Sequence, residues 1–122
     1  MEDFTARSYT VKSLKFIMKR VLFIDTSNNK EVKVGLEIDG EKFMIEQAID
    51  HRKAQAVLPL TEKLLAEHNL TLKDILEISV NPGPGSFTGL RVGVAIANTL
   101  GFLLQIPVNG KPIDEFVEPV YS

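Results

Sequence analysis

Three segments of the chain carry residues whose types and spacing could do chemistry. The first is the loop Asn81–Ser86, where two glycines and two prolines lead from an apolar run into a good helix-capping serine. Free backbone N–H groups at such a helix start can bind an anion, so Gly83, Gly85 and Ser86 are candidate anion or nucleotide contacts. The glycines could equally serve only the turn. The loop is not a P-loop, because the lysine and hydroxyl residue after the second glycine are missing.

The second segment is Asp25-Thr26-Ser27 at the end of the first apolar run, and the third is His51. A carboxylate at a strand end holds hydrated magnesium in actin-like kinases, although a lone aspartate is also a common turn former. A histidine metal pair needs a second histidine one helical turn later, but that position is Gln55 and His68 is far along the helix. We therefore expect no metal site, and no arrangement suggests a catalytic nucleophile and base.

A row of small residues in the last apolar segment indicates a contact surface. Gly89, Gly93, Ala97 and Gly101 recur every four residues, which places them on one side of a helix. Each glycine costs about 1 kcal/mol relative to alanine, so some contact should compensate. We expect the row to form a groove that another helix enters, together with a stripe on the first helix. Alternatively, the first helix alone fills the groove. The candidate interface residues are Ala54, Val57, Thr61, Gly89, Gly93, Ala97 and Gly101.

The composition excludes several functional classes. The 122 residues suit one domain, and 44% of them are hydrophobic, which is enough for a core. A net charge of -2 argues against direct, tight binding of nucleic acid. The absence of cysteine excludes a disulfide scaffold and agrees with a cytoplasmic location. No apolar run approaches the roughly 20 uninterrupted residues of a membrane span, so we expect no membrane partner.

The hydrophobic pattern predicts an α/β fold that positions these segments. Three strands form a meander with a hairpin turn at Asp39-Gly40, and two helices alternate with two further strands. Pro59 should kink or restart the first helix. The order β-β-β-α-β-α-β is typical of a ribonuclease H-like, actin-like ATPase (ASKHA) lobe with a mixed five-stranded sheet. The expected elements are 21–25, 31–38, 41–48, helix 51–68, 76–80, a helix from Ser86 to about Leu104, and 106–108.

The chain divides into three parts by composition. Residues 1–20 are a basic extension, either a solvated tail or an arm that touches RNA, and Met18 is a candidate natural start. Residues 21–110 form the lobe. Residues 111–122 form a tail that is either poorly ordered or draped over the surface.

The phrase Asn81-Pro-Gly-Pro-Gly-Ser-Phe-Thr-Gly-Leu-Arg-Val-Gly93 resembles the signature of the bacterial TsaB family. Val21-Leu-Phe-Ile-Asp-Thr-Ser27 is similar to the opening strand of that family, and His51 with Leu58-Pro59 to its first helix. The resemblance extends from Val21 to about Asn109. This sequence departs from the family in length, because family members usually continue into a second lobe of comparable size. Without a second lobe, a nucleotide cleft between two lobes cannot form.

The resemblance implies a non-catalytic scaffold in the synthesis of threonylcarbamoyladenosine in tRNA. Such a protein binds the transferase TsaD through a bundle of the two long helices, is joined by the ATPase TsaE, and forms a homodimer when alone. It meets tRNA only indirectly and has no cofactor of its own, with ATP restricted to an interface with partners. Two alternatives remain open: a residual actin-like nucleotide-binding enzyme that uses Asp25 and the loop 83–86, and a homodimeric structural protein without a role in tRNA.

Overall fold

A computed structural model describes residues 19–49 and 53–121. The expectations for His51 and for the basic extension up to Met18 lie outside the described residues.

The first three strands form the expected antiparallel meander. They are β1 (Arg20–Asp25), β2 (Glu31–Ile38) and β3 (Glu41–Ala48). Asp39 and Gly40 turn the chain between β2 and β3 with positive φ angles of 50° and 92°, which these residue types tolerate at low cost. The alternating side chains Val32, Val34 and Leu36 of β2 are fully buried and define the inner face of the sheet.

The fourth strand, β4 (Glu77–Val80), pairs in parallel with β1 and gives the sheet order β3-β2-β1-β4. The expected fifth strand is reduced to a single parallel bridge between Val108 and Ile78. It stays short because Pro107 has no N–H to donate, and because Asn109 and Gly110 adopt positive φ angles that turn the chain back. The described part of the sheet therefore has four regular strands rather than five.

Two helices, α1 (Lys53–Glu67) and α2 (Phe87–Leu104), share one hydrophobic core with the inner face of the sheet. From α1, Val57 and Leu64 enter this core, and from α2, Val94 and Ala97. Helix α1 does not restart at Pro59, since the proline is exposed and the helix continues through it. Helix α2 is long and apolar enough to meet a composition test for a membrane span, a test that core helices of soluble proteins also pass.

The tail lies along α2, which is the second of the two arrangements expected from the sequence. Val117 is buried, and its N–H and C=O both bond to the side-chain amide of Asn98, at 3.0 and 2.9 Å. Farther on, the Val120 N–H donates to Pro82 O at 2.6 Å. The ring of Tyr121 stacks on Phe87 with centroids 4.3 Å apart. We call residues 117–121 the strap.

Replacing Asn98 with alanine should release the strap, because one amide side chain holds two backbone groups of Val117. The expected loss is about 1–3 kcal/mol in the free energy of unfolding. Hydrogen exchange should accelerate at Val117 and Val120. Thr99→Ala, at an exposed neighbouring position, is the matched control. Unchanged exchange in Asn98→Ala would contradict the role of this amide.

Candidate functional site

The buried hydroxyl of Thr26 joins the end of β1 to α2. It donates to Gly89 O at 2.5 Å and accepts from Gly93 N at 3.0 Å. In a regular α-helix the N–H of residue i+4 donates a hydrogen bond to the carbonyl of residue i, as Gly93 would to Gly89. The Thr26 hydroxyl bonds to both of these groups and so bridges them. Only glycine at position 93 leaves room, since a Cβ there would collide with Thr26 Oγ1. Thr26, at 1% exposure, is therefore a structural joint.

The rest of the small-residue row also faces the interior of its own chain. A Cβ on Gly89 would collide with Thr26 O and Lys53 Nζ, and one on Gly101 with a methyl of Val108. The expectation of an open groove along this row is corrected, because Thr26 and Val108 already fill it. The alternative that the first helix alone fills the groove is also wrong, because this helix contributes Lys53 beside Gly89 while Thr26 and Val108 occupy the space at Gly93 and Gly101. Six of the predicted interface residues are buried inside the chain and do not line an open groove. They are Gly89, Gly93, Ala97 and Gly101 of α2, with Val57 and Thr61 of α1.

Three polar side chains meet where the parallel strands β1 and β4 end. The Asp25 carboxylate accepts from the Ser27 N–H at 2.9 Å and from the Ser27 hydroxyl at 2.6 Å. It also accepts from Asn81 Nδ2 at 3.2 Å. The Oδ1 of the same Asn81 amide accepts from Gly83 N at 3.0 Å. We call Asp25, Ser27 and Asn81 the strand-end cluster.

The loop before α2 is tied to the same cluster. Ser86 N donates to Ser27 O at 3.0 Å, and Ser86 Oγ caps the helix by accepting from Gly89 N at 3.3 Å. A Cβ on Gly85 would lie 2.7 Å from that of Ser27, so the loop is pressed against the end of β1. The structure thus brings together all five residues proposed to contact an anion, Asp25, Thr26, Gly83, Gly85 and Ser86. It uses the Thr26 and Ser86 hydroxyls and one Asp25 oxygen in internal bonds.

The pKa values of Asp25 and Lys53, at this end of the sheet, are both lowered. Burial raises the pKa of Asp25, but hydrogen bonds from Ser27 and Asn81 and the charge of Lys33 outweigh it, so that pKa lies below its ordinary value. Burial lowers the pKa of Lys53, partly offset by the charge of Asp25. Lys53 Nζ donates to Thr26 O at 3.0 Å and Asn28 O at 2.5 Å. Among residues 19–49 and 53–121, no cluster of three potential metal ligands occurs.

An apolar groove of about 440 Å³ lies on the outer side of the two helices. We call it the α1–α2 groove. Leu58 is 40% exposed one turn beyond Ala54 on α1. The only charged side chain that lines the described groove is Arg91. Its lining residues are Ala54, Thr88, Arg91, Val92, Ala95 and Ile96.

A second groove, of about 680 Å³, lies at the opposite end of α2. It is lined by Leu103 and Ile106 among others, and Leu103 is 68% exposed. This groove is distant from the strand-end cluster, and only α2 of the two long helices contributes to it.

Comparison with known proteins identifies the family. Residues 46–110 match the family model described as TsaD, tRNA N6-adenosine threonylcarbamoyltransferase. The chain is 31% identical over 116 residues to the tRNA threonylcarbamoyladenosine biosynthesis protein TsaB of Bacillus subtilis, covering 84% of this chain and 49% of that protein. It is 36% identical over 88 residues to TsaB of Haemophilus influenzae, covering 72% and 37%. The chain belongs to this family, in its TsaB branch.

A solved structure agrees with the fold. YeaZ from Pseudomonas aeruginosa superposes with a TM-score of 0.71 at 33% identity, covering 78% of this chain and 44% of that one. The ribonuclease H-like, actin-like fold class expected from the sequence is confirmed. The chain spans about half the length, or less, of the curated relatives it matches.

Sequence reasoning included Asn81 and Ser27 in candidate segments but gave their side chains no role, and it gave no role to Lys53 or Arg91. Asn81 and Ser27 carried one available signal, since both follow parallel strands whose carboxyl ends meet at one edge of a sheet. Lys53 and Arg91 carried no such signal, because their placement depends on how the two helices pack. Of the proposed interface residues, only Ala54 is exposed and lines a groove.

A double-mutant cycle should measure an energetic coupling between Thr26 and Gly93. Gly93→Ala alone should lower the free energy of unfolding by about 1–3 kcal/mol, because the methyl group overpacks against the Thr26 hydroxyl. In a Thr26→Ala background the same change should be neutral or stabilising by up to about 1 kcal/mol, since alanine favours helix. Chemical denaturation measures all four proteins. Equal effects of Gly93→Ala in both backgrounds would contradict the claim that the Thr26 hydroxyl requires glycine at position 93.

Acid should weaken the protein through Asp25. A carboxylate with a lowered folded-state pKa stabilises the fold above its ordinary pKa of about 4, and this stabilisation is lost as pH falls through the folded pKa. Asp25→Asn removes the ionisation, so its unfolding free energy should fall less steeply below about pH 5 than that of the wild type. Thr99→Ala, an exposed change that alters no ionisable group, should leave the wild-type slope. Parallel curves for wild type and Asp25→Asn would contradict the assignment.

Proposed function

We propose that this chain is a non-catalytic subunit in the synthesis of threonylcarbamoyladenosine in tRNA. It docks on a TsaD-type transferase and holds that subunit in its working arrangement. The names of the TsaB relatives support the pathway, and the α1–α2 groove supports the docking. The exposed, apolar face between the two helices is the observation that carries the proposal.

The chemistry of the groove favours a partner helix. Four of its six lining residues have small or branched apolar side chains, and the polar groups are the Thr88 hydroxyl and Arg91. A small polar ligand would find few partners for its hydrogen bonds, whereas a helix with small residues can pack its ridges into such a groove. The helices α1 and α2 both lie within the region that matches the TsaD family model. A homologous transferase would present an equivalent pair of helices, which suits a pseudo-symmetric pairing of the two lobes.

The strand-end cluster and the nearby hydroxyls of Thr26 and Ser86 support the absence of catalysis by this chain alone. Several polar groups that a nucleotide site would need are already bonded within the chain, as the contacts of Asp25, Thr26 and Ser86 show. The chain accordingly binds no nucleotide of its own and meets tRNA only indirectly. TsaE and a second copy of the chain are the further partners that it allows.

Ala95→Asp tests the docking surface. Ala95 is exposed and lines the groove, so the change should leave the fold intact while a buried carboxylate opposes the interface. We expect the 122-residue chain to co-elute with the TsaD-type subunit of the same organism on a sizing column, and Ala95→Asp to lose co-elution. Circular dichroism verifies the helical content.

The matched control is Leu103→Asp, an exposed position on the same helix that lines the other groove. This variant should bind like the wild type. Loss of binding in Leu103→Asp with retention in Ala95→Asp would move the interface to the far end of α2 and refute the proposed surface.

A further inference from the structure

The charged side chain in the α1–α2 groove leads to an inference that rests on the proposed function and specifies its partner. Arg91 is the single ionised group among the described residues that line this groove. None of the carboxylates in residues 19–49 and 53–121 forms an ion pair with it. Its guanidinium instead lies over the Phe87 ring, 5.5 Å from the centroid.

Covering this groove with a partner would remove Arg91 from water. A desolvated guanidinium that gains no counter-charge opposes association, whereas one that meets a carboxylate contributes a charge-assisted and often bidentate contact. An otherwise apolar surface therefore becomes selective through this one residue. It would accept a helix pair that carries an acidic residue opposite Arg91 and reject one that carries a neutral or basic residue there.

A chain of contacts leads from the strap to Arg91. Asn98 holds Val117, the Val120 N–H bonds to Pro82 O, and Tyr121 then stacks on Phe87 with an angle of 26° between the rings. Phe87 is 56% exposed, so the core alone does not fix its ring. The stack with Tyr121 limits where the ring lies, and the ring in turn provides the surface over which the guanidinium sits.

We propose that Arg91 selects the partner by pairing with a carboxylate on the docking helices of a TsaD-type subunit, and that the strap positions it through Tyr121 and Phe87. Arg91 is thus a specificity residue, and Tyr121 is a positioning residue that acts through it. These roles connect the strap, which has no part in the proposed function, with the docking surface.

The test measures the affinity of the full 122-residue chain for the TsaD-type subunit of the same organism. Arg91→Ala should weaken binding at least about tenfold and Arg91→Glu more, because the latter opposes like charges. Raising salt from about 0.05 to about 0.5 M should weaken the wild type more than Arg91→Ala, since the pairing is screened. Arg91→Lys should restore part of the affinity, because it keeps the charge without the planar fork.

A double-mutant cycle tests the positioning role. Tyr121→Ala should weaken binding about threefold in the wild type and have no further effect in Arg91→Ala, as expected for residues that act through one contact. Equal effects in both backgrounds would overturn the role of the strap. Wild-type affinity in Arg91→Ala, combined with loss of binding in Ala95→Asp, would overturn the selection by Arg91 while the proposed function stands. Wild-type affinity in Ala95→Asp would remove the docking surface itself.

Discussion

The bond between the Thr26 hydroxyl and two backbone groups of α2 determines where that helix lies. Gly89 O and Gly93 N face the end of β1, and the hydroxyl fits between them because position 93 has no side chain. A buried polar group needs its partners, so this contact also fixes the rotation of α2 about its own axis. With Gly101 against Val108 at the other end, the glycine side of the helix is held against β1 and the segment after α2.

This rotation decides what the chain presents to its surroundings. The small residues face inward, and the opposite side of α2, with Val92, Ala95 and Ile96, is left beside α1 as an apolar groove. The cost of the helical glycines is offset within the chain, so those glycines do not indicate an external partner. The indication comes instead from the apolar residues that remain uncovered after the core has formed.

The end of the sheet where the sequence suggested a nucleotide contact is an internal network. Asp25, Ser27 and Asn81 bond to one another, and the loop before α2 closes over the end of β1. Such a network stabilises the fold at neutral pH and positions the start of α2, and through it Phe87 and Arg91. The residues considered as nucleotide contacts thus position the start of the helix that carries the α1–α2 groove.

The sequence by itself determined the four regular strands, the two long helices and the family, but not the single bridge that replaces the expected fifth strand. The period-2 pattern of Val32, Val34 and Leu36 and the turn residues Asp39-Gly40 are local signals, and β2 and β3 lie where those signals predict. Only the tertiary structure decided which side of α2 faces inward. That choice rests on contacts between residues 63 and 67 positions apart, those of Thr26 with Gly89 and Gly93. A row of small residues is compatible with an external helix or an internal hydroxyl, and periodicity cannot distinguish the two because both need the same absence of side chains.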